Sequence, residues 1–384
     1  MAIKNRISKY YEEMKDWRHQ FHKYPELAYQ EFNTSKKVVK LLKSFGVDHI
    51  EEGIGKTGVV AVIKNGIGRS IGLRADMDAL PILEKNTKNN YCSRNKGVMH
   101  ACGHDGHTSM LLGAAKYLAE TRNFKGQVVL IFQPAEEGFA GAKAMIDDGL
   151  LKKYPISEIY GMHNMPGLQE GMLAVQEGPR LAAADNFEIE VIGKGAHGAM
   201  PSNSIDPIVC GSAVIQNIQH IVSRNIDPKK TLVITVATFN SGNANNIIPQ
   251  TAKLTGTMRY YDEGVGSFAK DRFFKIVKNT CSSFNAKCKI NFQKGYPATI
   301  NHSEPSNFAY YSAKKVIGLK ASDKQNPMMG SEDFSFFLNK VPGAFAWIGN
   351  GNSAELHNPS YDFNDDIMTI GASFFSTIVE DRLS

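Results

Sequence analysis

The sequence of 384 residues has no uninterrupted apolar run of about 18 residues, the length that a helix needs to cross a bilayer. Its first stretch, MAIKNRISKYYEEMKDWRHQ, is charged and has no apolar signal core, so we expect a cytoplasmic protein with no membrane partner. The sequence also lacks basic runs with interleaved aromatic residues, and its net charge of +6 is scattered, which argues against nucleic acid as a partner. Five cysteines at irregular spacings do not predict a disulfide framework.

The composition is that of a globular protein, with 42% apolar and 21% charged residues in a chain long enough for several domains. Short β-rich runs alternate with helical stretches through the first 178 residues. The predicted strands are GVVAVI (58–63), SIGLRAD (70–76), QVVLIFQ (127–133) and EIYGMHN (158–164). This alternation is typical of the α/β class, with a mainly parallel sheet wrapped by helices.

The pattern changes after Pro179. Three strands and two long helices follow, predicted at 186–198, 231–240 and 251–261 for the strands and at 206–223 and 271–286 for the helices. Two helices on one antiparallel sheet form a compact α+β unit. We therefore predict one domain made of residues 1–178 and 293–384, interrupted by an inserted domain of residues 179–292.

The stretch GVMHACGHDGHTSM (97–110) concentrates three histidines, a cysteine and an aspartate between His100 and His107. Other polar residues follow predicted strands: Asp76 and Asp78 after the second, the pair 136–137 after the third, and His163 at the end of the fourth. In an open α/β sheet the ligand crevice lies just outside the carboxyl ends of the strands, so these groups are expected to converge.

Three other interpretations compete with a catalytic metal centre. A cysteine nucleophile with a histidine base would need a third, orienting group, which no recognisable spacing supplies. Buried structural histidines would explain any one of these residues, but not a cluster accompanied by acids and histidine at further strand ends. A zinc finger would need a second cysteine pair at short range, which the sequence lacks. Metal coordination for chemistry is the leading interpretation.

A family resemblance is carried by motifs in a fixed order: RHQFHKYPEL, RADMDALP, HACGHDGH, FQPAEEG, GMHNMP, GKGAHGAMP, SEDFSFF and LHNPSYDFND. The chain resembles the metal-dependent amidohydrolase family that contains bacterial hippurate hydrolases, N-acyl-amino-acid deacylases and plant auxin-conjugate hydrolases. The match runs from the amino-terminal segment into the final ninety residues. The resemblance implies a two-zinc-type catalytic domain, similar to that of zinc peptidases, with an inserted dimerisation or lid domain.

Carried over to this sequence, the resemblance implies five metal ligands, with the first bridging both ions: Cys102, His104, Glu137, His163 and His357. Glu136 would be the general base, and Asp78, rather than Asp76, would orient a ligand histidine. His197 would stabilise the oxyanion in the active site of a partner subunit. The implied substrate-binding residues are Asn246 and Arg259, for the substrate carboxylate, and Gly330.

The expected activity is hydrolysis of the amide bond of an N-acyl amino acid, with two divalent metal ions per subunit in a homodimer or a higher homo-oligomer. Zinc suits the thiolate and imidazole ligands, and manganese, nickel or cobalt could occupy the same ligands. Two alternatives stay open. One is a dipeptidase or carboxypeptidase of the same superfamily, and the other is a metal-binding protein without catalytic activity. The acyl group is not specified by any motif.

Overall fold

The computed structural model describes residues 2–86 and 90–384. The chain divides into two units. The first contains Met1–Gly178, Ile300–Asn326 and Asp333–Ser384, and the second contains Pro179–Thr299 and Pro327–Glu332. No helix in the described part of the chain is long and apolar enough to cross a membrane.

The strands are numbered in chain order: β1 (His49–Ile54), β2 (Gly58–Asn65), β3 (Ser70–Asp76), β4 (Gly126–Gln133), β5 (Glu158–Pro166), β6 (Leu173–Ala174), β7 (Gly178–Leu181), β8 (Ala183–Ile192), β9 (Ala196–His197), β10 (Leu232–Ser241), β11 (Ile247–Ile248), β12 (Thr251–Tyr260), β13 (Lys287–Tyr296), β14 (Thr299–Asn301), β15 (Ala321–Ser322) and β16 (Gly343–Gly351). The helices are α1 (Ala2–Ile7), α2 (Tyr11–Lys23), α3 (Phe32–Phe45), α4 (His104–Thr121), α5 (Glu136–Phe139), α6 (Gly141–Asp147), α7 (Leu150–Lys153), α8 (Pro207–His220), α9 (Glu263–Ser283), α10 (Ser303–Ile317), α11 (Ser335–Leu338) and α12 (Met368–Arg382).

The first unit is built on a sheet whose strand order among the described residues is β1-β2-β4-β3-β5-β16-β6-β15. The central strands β4, β3, β5 and β16 are parallel to one another. At one edge β2 pairs with β4 in antiparallel orientation, and β1 pairs with β2 in the same way. Nearly all residues of the four central strands are buried and most are apolar, because both faces of the strands are covered, as is usual in parallel sheets. The structure confirms the predicted α/β class with a mainly parallel central sheet.

Helix α4 fixes the position of the loop that precedes it. It packs against α2, α3 and α12, and most of its side chains are buried. Leu111, Leu112 and Leu118 are fully buried, and each contributes about 1.5–3 kcal/mol of hydrophobic stabilisation. The amino end of α4 is therefore held rigidly beside the sheet.

The second unit has an antiparallel sheet of strand order β10-β12-β8-β13, on which α8 and α9 pack. Alternate residues of β8 are buried, as expected for a sheet with helices on one face. The predicted strand 186–198 is interrupted, since β8 ends at Ile192 and residues 196–197 form the separate strand β9. Strand β13 continues past residue 292, and the segment 327–332, which no sequence pattern predicted, belongs to this unit.

Candidate metal centre

The carboxyl ends of three neighbouring parallel strands of the first unit lie side by side, because the sheet order is β4-β3-β5. Asp76 closes β3, Glu136 is the third residue after β4, and His163 lies near the end of β5. The loop before α4 reaches the same edge, where His104 is the first residue of the helix. Cys102 therefore lies in the loop, two residues before the helix begins.

The five predicted metal ligands form two groups that share one residue. Cys102, His104 and His163 each offer a ligand atom within 4.8 Å of the others, and Cys102, Glu137 and His357 do the same. His357 adopts a left-handed backbone conformation, with φ of 64°, and its amide donates to the carbonyl of Ala101 at 2.7 Å. That contact connects the distant carboxyl-terminal loop to the residue before Cys102.

The buried histidines are oriented for coordination through Nε2. Nδ1 of His104 lies 2.9 Å from the carbonyl oxygen of Asp78 and 3.2 Å from its carboxylate, and Nδ1 of His163 lies 2.7 Å from the carbonyl oxygen of Asn164. A proton on each Nδ1 leaves Nε2 as a lone pair. Nε2 of His163 is 3.3 Å from Sγ of Cys102, and the buried Nε2 of His104 has no hydrogen-bond partner among the described residues.

This donor set fits divalent metal ions. A buried, unpartnered imidazole nitrogen is rare in folded proteins and calls for a ligand. One group offers two imidazoles and a thiol, and the other offers a carboxylate and an imidazole beside the same thiol. Zinc and similar ions prefer these ligand types. The arrangement is therefore suited to two ions held on a shared sulfur.

The electrostatics of the buried site favour added positive charge. Burial alone disfavours the charged His104 ring, but Asp76, Asp78 and Glu137 outweigh it and raise the pKa of His104 to about 10. Burial, together with the nearby carboxylates, raises the pKa of the Cys102 thiol well above its usual range. Cations between these groups would reverse both effects, since they stabilise a thiolate and displace the histidine proton.

Asp78 lies against Nδ1 of His104, whereas Asp76 comes no nearer than 3.8 Å, at Nε2, and makes its hydrogen bonds to other residues. The Asp78 carboxylate contacts Nδ1 of His104 and accepts from the amide of Glu137 at 3.0 Å, so it holds two predicted ligands. Asp76 instead lies 2.6 Å from Nδ1 of His107 and accepts from Arg74 at 2.8 Å. The contacts of Asp78 support the orienting role predicted for it.

The remaining predicted residues all lie in the second unit. His197 in β9 is exposed and pairs with Ile247 of β11, and the carbonyl of the neighbouring Asn246 accepts from the amide of Gly198 at 2.7 Å. Arg259 is half-buried in β12. Gly330 is exposed in the segment 327–332, where its carbonyl accepts from the amide of Ala182 at 2.8 Å. His197 and Asn246 are thus brought together.

Several buried polar residues beside the centre were not predicted from the sequence. Asn164 contacts His107 at 2.8 Å, and Asp333 accepts from Arg74 at 3.1 Å and from the amide of Ala142 at 2.9 Å. Asn164 follows a predicted ligand directly, so its place in the motif GMHNMP was an available signal. Glu31 accepts from the amide of Ala135 at 2.9 Å, and no local pattern marks it.

Comparison with known proteins agrees with this geometry. The model of peptidase family M20/M25/M40 matches residues 72–381. The hippurate hydrolase of Campylobacter jejuni is 45% identical and the thermostable carboxypeptidase 1 of Saccharolobus solfataricus is 40% identical, each over 94% of both chains. The crystal structure of Bacillus subtilis YXEP protein, a dinuclear metal binding peptidase from the M20 family, superposes with a TM-score of 0.86 at 31% identity and covers 98% of this chain and 99% of that one.

Proposed function

Because the chain belongs to peptidase family M20/M25/M40, we propose that it hydrolyses the amide bond of N-acyl amino acids at a centre of two divalent metal ions. The products are a carboxylic acid and a free amino acid. The observation that carries the proposal is the pair of ligand groups sharing Cys102, with the buried Glu136 beside them. Hippurate hydrolase, the relative at 45% identity, is named for an N-acyl amino acid, and that name supports the substrate class.

Divalent ions held by Cys102, His104, Glu137, His163 and His357 would act as Lewis acids on the amide carbonyl and acidify a water molecule. The residues of the chain do the rest. Glu136 has a carboxylate oxygen within 4.8 Å of ligand atoms of His104 and Glu137. It accepts a proton from the attacking water and delivers it to the amide nitrogen as the carbon–nitrogen bond breaks.

Asp78 keeps the single ring proton of neutral His104 on Nδ1, so Nε2 remains available to bind a metal ion throughout the reaction. We assign His197 to the oxyanion, in the active site of a partner subunit of a homodimer. Asn246 and Arg259 are assigned to the substrate carboxylate, and Gly330 to the substrate pocket. The second unit would then be a dimerisation and lid domain. Zinc is the favoured metal, with manganese, nickel or cobalt as alternatives, and the cytoplasmic location stays a prediction.

A second candidate is a carboxypeptidase, which the 40% identity to thermostable carboxypeptidase 1 favours. Both substrate classes end in an amino acid with a free carboxylate, so they differ on the other side of the scissile bond. The test is a substrate panel with metal-reconstituted protein. It should contain N-benzoyl, N-acetyl and N-indoleacetyl amino acids, dipeptides with a free amine, and N-acyl amino acid amides, which lack the carboxylate.

We expect the N-acyl amino acids to be hydrolysed, the amides to be poor substrates, and chelation to abolish activity. Faster hydrolysis of the dipeptides would favour the carboxypeptidase. Full activity in protein shown to be metal-free by elemental analysis would contradict the mechanism and would restore Cys102 as a candidate nucleophile.

The two adjacent glutamates should have different roles, one as general base and the other as metal ligand. Glu136→Gln should retain metal and substrate and lower kcat by at least about 10²-fold, the usual scale for a lost general base. Glu137→Gln should instead lower the metal content, measured by elemental analysis after dialysis at a fixed free metal concentration. The opposite pattern would exchange the two assignments.

A further inference from the structure

Glu31 is a fully buried acid that no step of the proposed chemistry uses. It immediately precedes α3 in the first unit. One carboxylate oxygen accepts from the amide of Ala135 at 2.9 Å, and the other accepts from the Thr57 hydroxyl at 2.5 Å. Burial raises the pKa of Glu31 to about 7, so the ionised side chain is held at a cost in stability. A residue kept at such a cost is better explained by what it holds than by stabilisation of the fold.

The group that Glu31 holds is the backbone immediately before the proposed base. Ala135 lies between β4 and Glu136 and has φ of 53° and ψ of 43°, a left-handed conformation that is strained for alanine. Its carbonyl accepts from the amide of Gly141 at 3.0 Å, which closes the turn 135–141. A side chain at Gly141 would meet the carbonyl oxygen of Pro134 at 1.7 Å, so this closure is tight.

The direction in which the chain leaves β4 depends on the conformation of Ala135. Relaxation of Ala135 to a right-handed or extended conformation would rotate the following peptide and move the Glu136 side chain away from the ligand atoms of His104. Glu137 has a separate support, because its amide donates to Asp78 at 3.0 Å. The two glutamates of the turn are thus held by different carboxylates.

We propose that Glu31 is a positioning residue, whose carboxylate holds Ala135 in its left-handed conformation so that Glu136 faces the metal centre. The inference rests on the proposed function, in which Glu136 is the general base. It predicts that loss of the Glu31 acceptor lowers kcat and leaves the metal content and KM near their wild-type values.

The test compares variants at position 31 that differ in their ability to accept the hydrogen bond from the amide of Ala135. Glu31→Gln retains an oxygen at nearly the same place, and Glu31→Met fills the space without an acceptor. We expect Glu31→Met to lower kcat by about tenfold to a hundredfold, the scale of a small misplacement of a catalytic group. Glu31→Gln should recover most of that loss. If Glu31→Met does not fold, Glu31→Asp, which is too short to reach Ala135, carries the same expectation.

Glu158→Gln is the matched control, because Glu158 is also a buried acid but lies at the amino end of β5 and pairs with Arg382. It should lower the melting temperature without changing kcat per metal-loaded protein. Equal kcat losses in the Glu158 and Glu31 variants would mean that the loss comes from general destabilisation of the fold, and this would overturn the proposal.

The decisive measurement combines Glu31→Met with Glu136→Gln and uses prolonged incubations to quantify slow hydrolysis. If Glu31 acts through Glu136, the double variant should be no slower than Glu136→Gln alone. A further loss as large as that in the wild-type background would overturn the inference, as would wild-type kcat in Glu31→Met. If Glu136→Gln itself retained wild-type kcat, the assignment of Glu136 as the general base would fail instead, so the two failures are distinguishable.

Discussion

The substitution Asp78→Asn tests the support of the metal centre most directly. Asp78 is buried and uses both carboxylate oxygens, one against Nδ1 of His104 at 3.2 Å and the other as acceptor for the amide of Glu137 at 3.0 Å. Asparagine has the same shape but only one oxygen, and its amide group would face one of these two donors. Either the amide of Glu137 loses its acceptor, or Nδ1 of His104 keeps its contact with the Asp78 carbonyl oxygen at 2.9 Å but faces the donor group of the new side chain.

The expected cost follows from that single loss. A buried donor left without an acceptor costs about 1–3 kcal/mol, and loss of an orienting partner of a metal ligand typically weakens metal affinity by about 10–100-fold. These two scales agree, since a tenfold change corresponds to about 1.4 kcal/mol. We therefore expect Asp78→Asn to bind zinc about 10–100 times more weakly than the wild type, while the folded structure persists.

The assay is a titration of metal-stripped protein with zinc in competition with a chromophoric chelator, and circular dichroism monitors the fold. Asp76→Asn is the matched control, because Asp76 is equally buried and contacts His107 and Arg74. It should lower the melting temperature and weaken zinc binding less than Asp78→Asn does. Loss of zinc in the control, with wild-type affinity in Asp78→Asn, would transfer the orienting role to Asp76.

Three further predictions concern pH and assembly. Without metal, His104 has a pKa of about 10 and the pKa of the Cys102 thiol is raised well above its usual range, so zinc must displace a proton from each. Apparent affinity should then rise about a hundredfold per pH unit between pH 6.5 and 8.5, and an affinity independent of pH would contradict this. Burial lowers the pKa of His22, but hydrogen bonding to Asp105 outweighs it and raises the value to about 9. Protonated His22 stabilises the folded state fully below about pH 6.5, and this stabilisation is lost towards pH 9. The melting temperature of metal-stripped protein should therefore fall over that range, and it should fall less in the variant His22→Gln. If His197 serves the partner's site, refolding Glu136→Gln with His197→Ala at equal amounts should restore about a quarter of wild-type activity, whereas no recovery in confirmed mixed dimers would place His197 in its own chain's site or in none.

The metal centre could be predicted far better from the sequence than the groups that support it. The ligand types, the short spacing of Cys102 and His104, and the strand-end positions of Glu137 and His163 are local features that the sequence displays directly. They predict convergence because parallel strands deliver their carboxyl ends to one edge. His357 could be included only through the family resemblance, since a histidine in a long loop has no local signature.

The tertiary structure alone decided the contacts between segments that are distant in the sequence. The choice between Asp78 and Asp76 depends on which carboxylate faces Nδ1 of His104, and two residues of separation at a strand end do not specify that. Glu31 meets Ala135 across 104 residues of chain. Local sequence determines secondary structure and residue chemistry, but the partner of a buried polar group is set by the packing of whole elements, which no single segment encodes.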